Sequence, residues 1–173
     1  MMADTPPMPD ARREVGDELT SDQRAAVRSR QADQDRTLAA VHALEVALAS
    51  AAPGREGPWR DSVRAALDVL GEAAAEEERN AAQPYSLLSD IARSQPRLRH
   101  RVHGLRAQYR QVRDTIAAIR PELDHQATDV DVADLRQRLA WLLTALRHQR
   151  ARESDLIYAA YYEAFDRDLE RDA

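Results

Sequence analysis

Polar side chains interrupt the apolar stripe of the last long predicted helix. A leucine stripe runs from Leu135 to Leu146 at helical spacing, and its next positions are Gln149 and Glu153, with His148 beside them. A buried polar group without a partner costs about 1–3 kcal/mol. The break therefore requires a hydrogen-bonding partner, a metal ion or a locally hydrated core.

Each of the other long predicted helices has a similar break. His42 and Glu45 fall on or beside the stripe of helix 1, Glu77 on that of helix 2 and Tyr109 on that of helix 3. Imidazoles and carboxylates that converge from facing helices are how bundles bind iron or manganese. The alternative is a metal-free arrangement, in which the Tyr109 hydroxyl bonds to a carboxylate and the glutamates pair with arginines. The arginines considered for that role are Arg106, Arg150 and Arg152.

The elements that would position these residues are all helical. Thr20 and Gln23 have the spacing of a capping box at the start of helix 1, and Asp131 is a good N-cap for the last helix. The predicted helices are Thr20 to Ser50, Trp59 to Asn80, a short one within Tyr85 to Arg93, Pro96 to the residue before Pro121, and Val132 to Asp168. We predict an up-down-up-down antiparallel four-helix bundle over residues 19–168, preceded by a disordered tail over residues 1–18.

The apolar stripes define the predicted core. In helix 1 the stripe is Leu38, Val41 and Leu48, with Leu44 beside it, and the polar residues before Leu38 are a separate or partly solvated lead-in. In helix 2 the stripe is Val63, Leu67, Leu70, Ala74, Glu77 and Ala81. In helix 3 it is Leu98, Val102, Leu105, Tyr109, Val112, Ile116 and Ile119.

Composition limits the function classes. The 173 residues include no cysteine, which removes disulfides, thiolate ligands and cysteine nucleophiles. A net charge of -5 disfavours a general nucleic-acid binder. The N-terminal sequence lacks the pattern of a signal peptide, and no stretch is apolar enough to span a membrane, so we expect a cytoplasmic protein. No nucleophile motif, phosphate-binding loop or HExxH sequence indicates an enzyme.

Four segments of the chain resemble the hemerythrin-like proteins of actinobacteria. They are LAAVHALEVALA, APGREGPWRDSVRAALDVL, PRLRHRVHGLRAQYRQVRDTI and LLTALRHQRARESDLIYAAYYEAFD, within residues 38–166. The resemblance implies a four-helix bundle, often with a non-haem di-iron site that handles oxygen, peroxide or nitric oxide.

The resemblance also implies a ligand set. His42 matches the family's first-helix histidine, and His148 with Glu153 matches the pair on its last helix. Glu77 stands where helix 2 would carry a histidine, while Leu105 and Tyr109 stand where helix 3 would carry two. The implied metal ligands are therefore His42, Glu77, His148 and Glu153, with Tyr109 as a further ligand or a hydrogen-bond donor to one. Residue counting from the connection separates His42 and Glu77 by about 10 Å along the bundle.

Two functions follow from these observations. The first is a hemerythrin-like protein with an altered core site, binding non-haem iron or one other divalent metal for oxygen or oxidant binding or sensing. The second is a metal-free interaction or regulatory module that binds a protein partner or a second copy through Tyr161 and Phe165, which lie four apart on the last helix. His100 and His103 are expected at the surface or the end of the bundle, and His125 in a solvated loop.

Overall fold

The described parts of the chain form a bundle of long helices. A computed structural model describes residues 20–50, 54–124 and 131–161, and within them every regular element is helical. The elements are α1 (Ser21–Ala49), α2 (Glu56–Ala82), α3 (Leu87–Ser94), α4 (Arg99–Ile119) and α5 (Val132–Tyr161), with 3₁₀ turns at Pro96–Leu98 and Arg120–Leu123. The prediction of an all-α, four-helix fold is confirmed. The predicted tail, His125 and the end of the last predicted helix, including Phe165, lie outside the described residues.

The predicted helix starts are formed by side-chain caps. The Thr20 amide donates to the Gln23 side chain at 3.0 Å, and the Gln23 amide donates to the Thr20 hydroxyl at 3.2 Å. Asp131 accepts from the Ala133 amide at 2.8 Å at the start of α5. These bonds satisfy amides that have no partner within the first helical turn.

Contacts between neighbouring helices pair residues in opposite sequence order. Asp33 of α1 accepts from Asn80 of α2. Thr37, which follows Asp33 by one turn of α1, donates to Glu77, which precedes Asn80 by nearly one turn of α2. Such reversed order is the pattern of antiparallel neighbours. Three further helix pairs show the same reversed order. Asp68 with Arg120 and Glu78 with Arg113 join α2 to α4 and the turn that follows it. Arg97 with Ala159 and Glu122 with Arg138 join the turns on either side of α4 to α5, and Arg30 with Glu153 and Leu48 with Arg136 join α1 to α5.

The predicted stripes of α2 and α4 are buried throughout, but the stripe of α1 is only partly confirmed. Val41 and Leu44 are buried as predicted, whereas Leu38 is 52 % exposed. The buried face of α1 includes Thr37 instead of Leu38 and continues back to Arg30. This difference determines which polar side chains of α1 enter the core.

The buried apolar residues fall into two clusters. The larger one joins α1, α2, α4 and α5 around Leu44, Leu67 and Leu142. The smaller one joins α3 to the neighbouring ends of α2, α4 and α5 around Ile91 and Leu156. As predicted, α3 covers one end of the bundle. No helix in residues 20–50, 54–124 or 131–161 is long and apolar enough to cross a membrane.

Candidate functional site: a buried arginine between two glutamates

A polar layer lies between the two apolar clusters. Its members come from α1, α2 and α5, and each is at most 8 % exposed. They are Arg30, Asp33, Thr37, Glu77, Gln149 and Glu153. Tyr109 of α4, 3 % exposed, borders the layer from the smaller cluster. All four long helices therefore contribute to the polar centre.

Arg30 joins the two buried glutamates of this layer. Its Nε and Nη2 atoms donate to the two different oxygens of Glu153, forming a bidentate pair. Its Nη2 atom also lies 2.6 Å from Oε1 of Glu77. Glu153 is fully buried and Glu77 is 3 % exposed, so one guanidinium supplies the positive charge that both carboxylates need in the core.

The ionisation of Arg30 follows from these contacts. Burial lowers the pKa of the guanidinium, but the hydrogen bond to Glu153 and the nearby Tyr109, Glu153 and Glu77 more than offset it, so the net pKa is raised. Arg30 therefore remains a cation in the core.

Glu77 has a different electrostatic balance. Burial raises the pKa of its carboxyl group, and the opposing attraction of Arg30 and the hydrogen bond from Thr37 do not cancel that effect. Thr37 Oγ1 donates to Glu77 Oε2 at 2.9 Å, and the charge of Glu153 adds to the upward shift of the pKa. Glu77 therefore holds its proton more tightly than an exposed glutamate.

Tyr109 faces this charged group from α4. The Arg30 Cζ atom is 6.0 Å from the centroid of its ring, at the outer limit of a cation–π contact. Burial raises the pKa of the Tyr109 hydroxyl, and the negative charge of Glu153 raises it further. The hydroxyl forms no well-aligned hydrogen bond within the described residues, although it lies close enough to Glu153 to be influenced by it.

A second set of contacts connects the layer to the surface. Both carboxylate oxygens of Asp33 accept from Asn80 Nδ2, at 3.0 and 3.1 Å. Asp33 is also bound by Arg36, which in turn donates to Glu76 at 2.9 Å. Asp33 is 4 % exposed, whereas the Arg36 side chain is 49 % exposed. Charge is therefore balanced by pairs that run from the centre of the bundle to solvent.

The structure brings together three of the five predicted site residues. Glu77, Glu153 and Tyr109 meet in the polar layer. His42 does not join them: its side chain is 77 % exposed and lies 4.0 Å from Glu45 on the same helix. His148 is also exposed, on a groove between α4 and α5. The implied four-residue metal set is therefore divided between core and surface, and no three histidine, aspartate or glutamate side chains in the described ranges form a group suited to a metal ion.

The remaining predicted residues have simpler environments. His100 and His103 are exposed near the start of α4, as expected. The hydroxyl of Tyr161 donates to Asp90 at 3.3 Å, so this residue contacts its own bundle. Its predicted companion on a docking face, Phe165, lies outside the described residues.

The residue that organises the site was missed from the sequence. Glutamate–arginine pairing was the metal-free alternative, but the partner is Arg30 and not Arg106, which binds the Ala81 carbonyl and Ser89. The part of α1 before Leu38 was predicted as a separate or partly solvated lead-in. A usable signal was present, because Arg30, Asp33, Thr37, Val41 and Leu44 recur at the three- and four-residue spacing of one helical face.

Comparison with known proteins adds no constraint to this site. No family model, curated protein or solved structure matches the chain.

Proposed function

We propose that this chain is a metal-free interaction module, a helical bundle with the outline of the hemerythrin-like proteins whose polar centre is held by Arg30. The observation that carries the proposal is the position of the Arg30 guanidinium between Glu77 and Glu153. These are the two carboxylates of the metal-ligand set that the family resemblance implies.

The chemistry of the layer supports a protein without a resident metal. Arg30 occupies both oxygens of Glu153 and contacts one oxygen of Glu77, while Thr37 donates to the other. A divalent cation at this point would lie beside a permanent positive charge. His42 and His148 are exposed, so neither of the two implied histidine ligands reaches this layer. The layer has the features of a structural centre, with its charges paired inside the fold.

The interaction surface we assign is the groove between α4 and α5. It has a volume of about 470 Å³, and its floor includes Val112, Ile119 and Leu142. Trp141 stands at its side and is 69 % exposed. Exposed tryptophan beside an apolar groove is typical of protein-binding sites, because tryptophan is among the residues that contribute most to binding energy.

The partner that fits this groove is an acidic amphipathic helix of another protein. Lining residues recur every three or four positions on both helices, which matches a helix laid in a groove. The charged lining residues are Arg138 and Arg152, with His148 between them in the sequence, and none of the described residues that line the groove is acidic. Arg138 is already paired with Glu122 and Asp134, so Arg152 is the principal attraction for a carboxylate.

Two measurements test the proposal. Elemental analysis of protein expressed with added iron and manganese should find far less than one metal ion per chain. One iron or manganese per chain would contradict the proposal and favour the oxygen- or oxidant-binding function that the family resemblance implies.

The groove is tested with a labelled synthetic helix that carries leucines on one face and glutamates on the other. We expect fluorescence anisotropy to detect binding, with Trp141→Ala weakening it about tenfold or more and a peptide with lysine for glutamate binding less well. Val69→Ala, which removes an exposed apolar side chain of α2 away from the groove, is the matched control. Equal peptide binding by Trp141→Ala and Val69→Ala would contradict the assignment. A homodimer that Trp141→Ala dissociates would also contradict it, because the groove would then bind a second copy of this chain.

A further inference from the structure

The groove between α4 and α5 carries different charges at its two ends. On α5 its lining runs from Arg138 to Arg152, and these arginines are 14 positions apart, which is about 21 Å along a helix. At physiological ionic strength, exposed charges separated by more than about 8 Å are largely screened from each other. Each end of the groove therefore attracts or repels a partner mainly through its own charges.

The Arg138 end has an excess of negative charge. Arg138 is bound to Glu122, and its Nε atom lies 2.9 Å from Oδ2 of Asp134. Two carboxylates thus share one guanidinium group, and one negative charge is left over. The side chains of Glu122 and Asp134 are 37 % and 60 % exposed, so this charge can act on a partner that lies in the groove.

The α5 side of the other end has no such compensation. Arg152 and His148 are exposed, and neither forms an ion pair or a side-chain hydrogen bond within the described residues. Asp155 follows Arg152 by three positions and is also exposed, but the two side chains form no ion pair. The guanidinium of Arg152 is therefore available to a carboxylate of a partner.

The α4 side adds a second cation to the Arg152 end. Arg101 is exposed and precedes the lining residue Gln108 by seven positions, so it extends the same face of α4 by two turns. No aspartate or glutamate occurs in α4 before Asp114. Even with the charge of Asp155, this end of the groove keeps a net positive charge.

We infer that the partner helix is polarised along its length, with its carboxylates beside Arg152 and Arg101 and basic residues beside Glu122 and Asp134. Its apolar side chains lie against Trp141, between the two ends. A helix whose glutamates continued to the Arg138 end would meet like charges there, and like charges brought together lower affinity. This polarity rests on the proposed function, because it specifies the partner of the same groove.

Two synthetic helices with the same leucine face test the polarity. One carries glutamates in its first half and lysines in its second half, and the other carries glutamates in both halves. Fluorescence anisotropy with the full-length protein at about 0.15 M salt measures both affinities. We expect the glutamate–lysine peptide to bind at least about threefold more tightly than the all-glutamate peptide.

Charge variants separate the local effect from that of the net charge of the protein. Arg152→Glu should weaken binding of the glutamate–lysine peptide at least about fivefold. Arg110→Glu makes the same change at an exposed position of α4 outside the groove lining and should leave the affinity unchanged. Asp134→Asn should remove most of the difference between the two peptides, whereas Asp114→Asn, at an exposed aspartate of α4, should preserve it. Thermal unfolding checks that all four variants remain folded.

A nitroxide label on the glutamate–lysine peptide reports its direction in ¹⁵N-labelled protein. A label at the glutamate end should broaden the amide signals of His148 and Arg152. A label at the lysine end should instead broaden those of Ala118 and Glu122.

The outcomes distinguish failure of the polarity from failure of the proposed function. Absence of binding by either peptide would overturn both the polarity and the assignment of the groove. An all-glutamate peptide that binds as tightly as the glutamate–lysine peptide would overturn the polarity alone. The same holds for equal broadening at the two ends, for equal affinities of Arg152→Glu and Arg110→Glu, and for equal peptide preferences of Asp134→Asn and Asp114→Asn.

Discussion

Arg30 and Glu153 are 123 positions apart in the sequence and form a buried bidentate pair between the first and last helices. The same guanidinium contacts Glu77 on α2. One side chain thus connects three helices across the core. The consequences of this arrangement can be measured in several ways.

Removal of Arg30 should destabilise the fold strongly. Arg30→Met leaves two buried carboxylates without their counter-charge, and we expect a loss of about 3–5 kcal/mol in the free energy of unfolding. Arg28→Met, at an exposed position of α1, should change it by no more than about 0.5 kcal/mol. Urea unfolding monitored by circular dichroism measures both.

A triple variant distinguishes the effect of unpaired charge from that of lost packing. Arg30→Met with Glu77→Leu and Glu153→Met replaces the ionic group by apolar side chains, and we expect most of the lost stability to return, because such replacements are often neutral or stabilising. A triple variant as unstable as Arg30→Met would show that packing of the arginine stem, rather than unpaired charge, causes the loss.

Glu77→Gln should alter the pH dependence of stability with a defined sign. The pKa of Glu77 is raised in the folded state by burial, so its contribution to stability is complete below the unfolded pKa of about 4.3 and is lost as pH rises through the folded value. Glutamine does not titrate. The stability of Glu77→Gln relative to the unsubstituted protein should therefore increase with pH above about 4.3 and then level off.

Urea unfolding at a series of pH values from about 4.5 to 8 measures this difference, and titrations elsewhere in the protein cancel in it. We also expect a pH-independent difference in the free energy of unfolding between the two proteins, because the glutamine amide changes the contact with Arg30. A difference that falls as pH rises would mean that Arg30 dominates and lowers the pKa of Glu77.

The two histidines implied as metal ligands should be dispensable for stability. Because both are exposed, His42→Ala and His148→Ala should each change the free energy of unfolding by about 0.5 kcal/mol or less. The measurement is made on protein grown with added iron and repeated with a chelator. A large loss in either variant that the chelator reproduces would place the histidine in a metal site.

Two glycines within helices should respond differently to alanine. At Gly104 of α4 an added Cβ meets nothing within 4 Å, so Gly104→Ala should stabilise the protein by about 0.5–1 kcal/mol through helix propensity. At Gly71 of α2 the Cβ would lie 3.3 Å from Ile116 Cγ2, which must shift to accommodate it. Gly71→Ala should therefore gain less than Gly104→Ala in urea unfolding, and an equal gain would show that Ile116 moves without cost.

Much of the fold could be predicted because most stripes were unambiguous. In α2 and α4, apolar residues at every three or four positions leave one choice of buried face, and Glu77 and Tyr109 fall within it. Their burial therefore followed from periodicity alone. In α1 the apolar residues are spread around the helix, so the predicted stripe joined Val41 and Leu44, which are buried, to Leu38 and Glu45, which are not. Packing against α2 turns Thr37 rather than Leu38 toward the core, where it binds Glu77.

The sequence by itself determined that polar side chains of three helices, Glu77, Tyr109 and Glu153, enter the core, because helical periodicity is a local property. Only the tertiary structure decided what meets them there. The partner of a buried carboxylate depends on the rotation and height of distant helices and on the reach of a long side chain, none of which local spacing specifies. Arg30 rather than His42 faces Glu77 and Glu153 for that physical reason, and the predicted metal ligands are divided between the core and the surface.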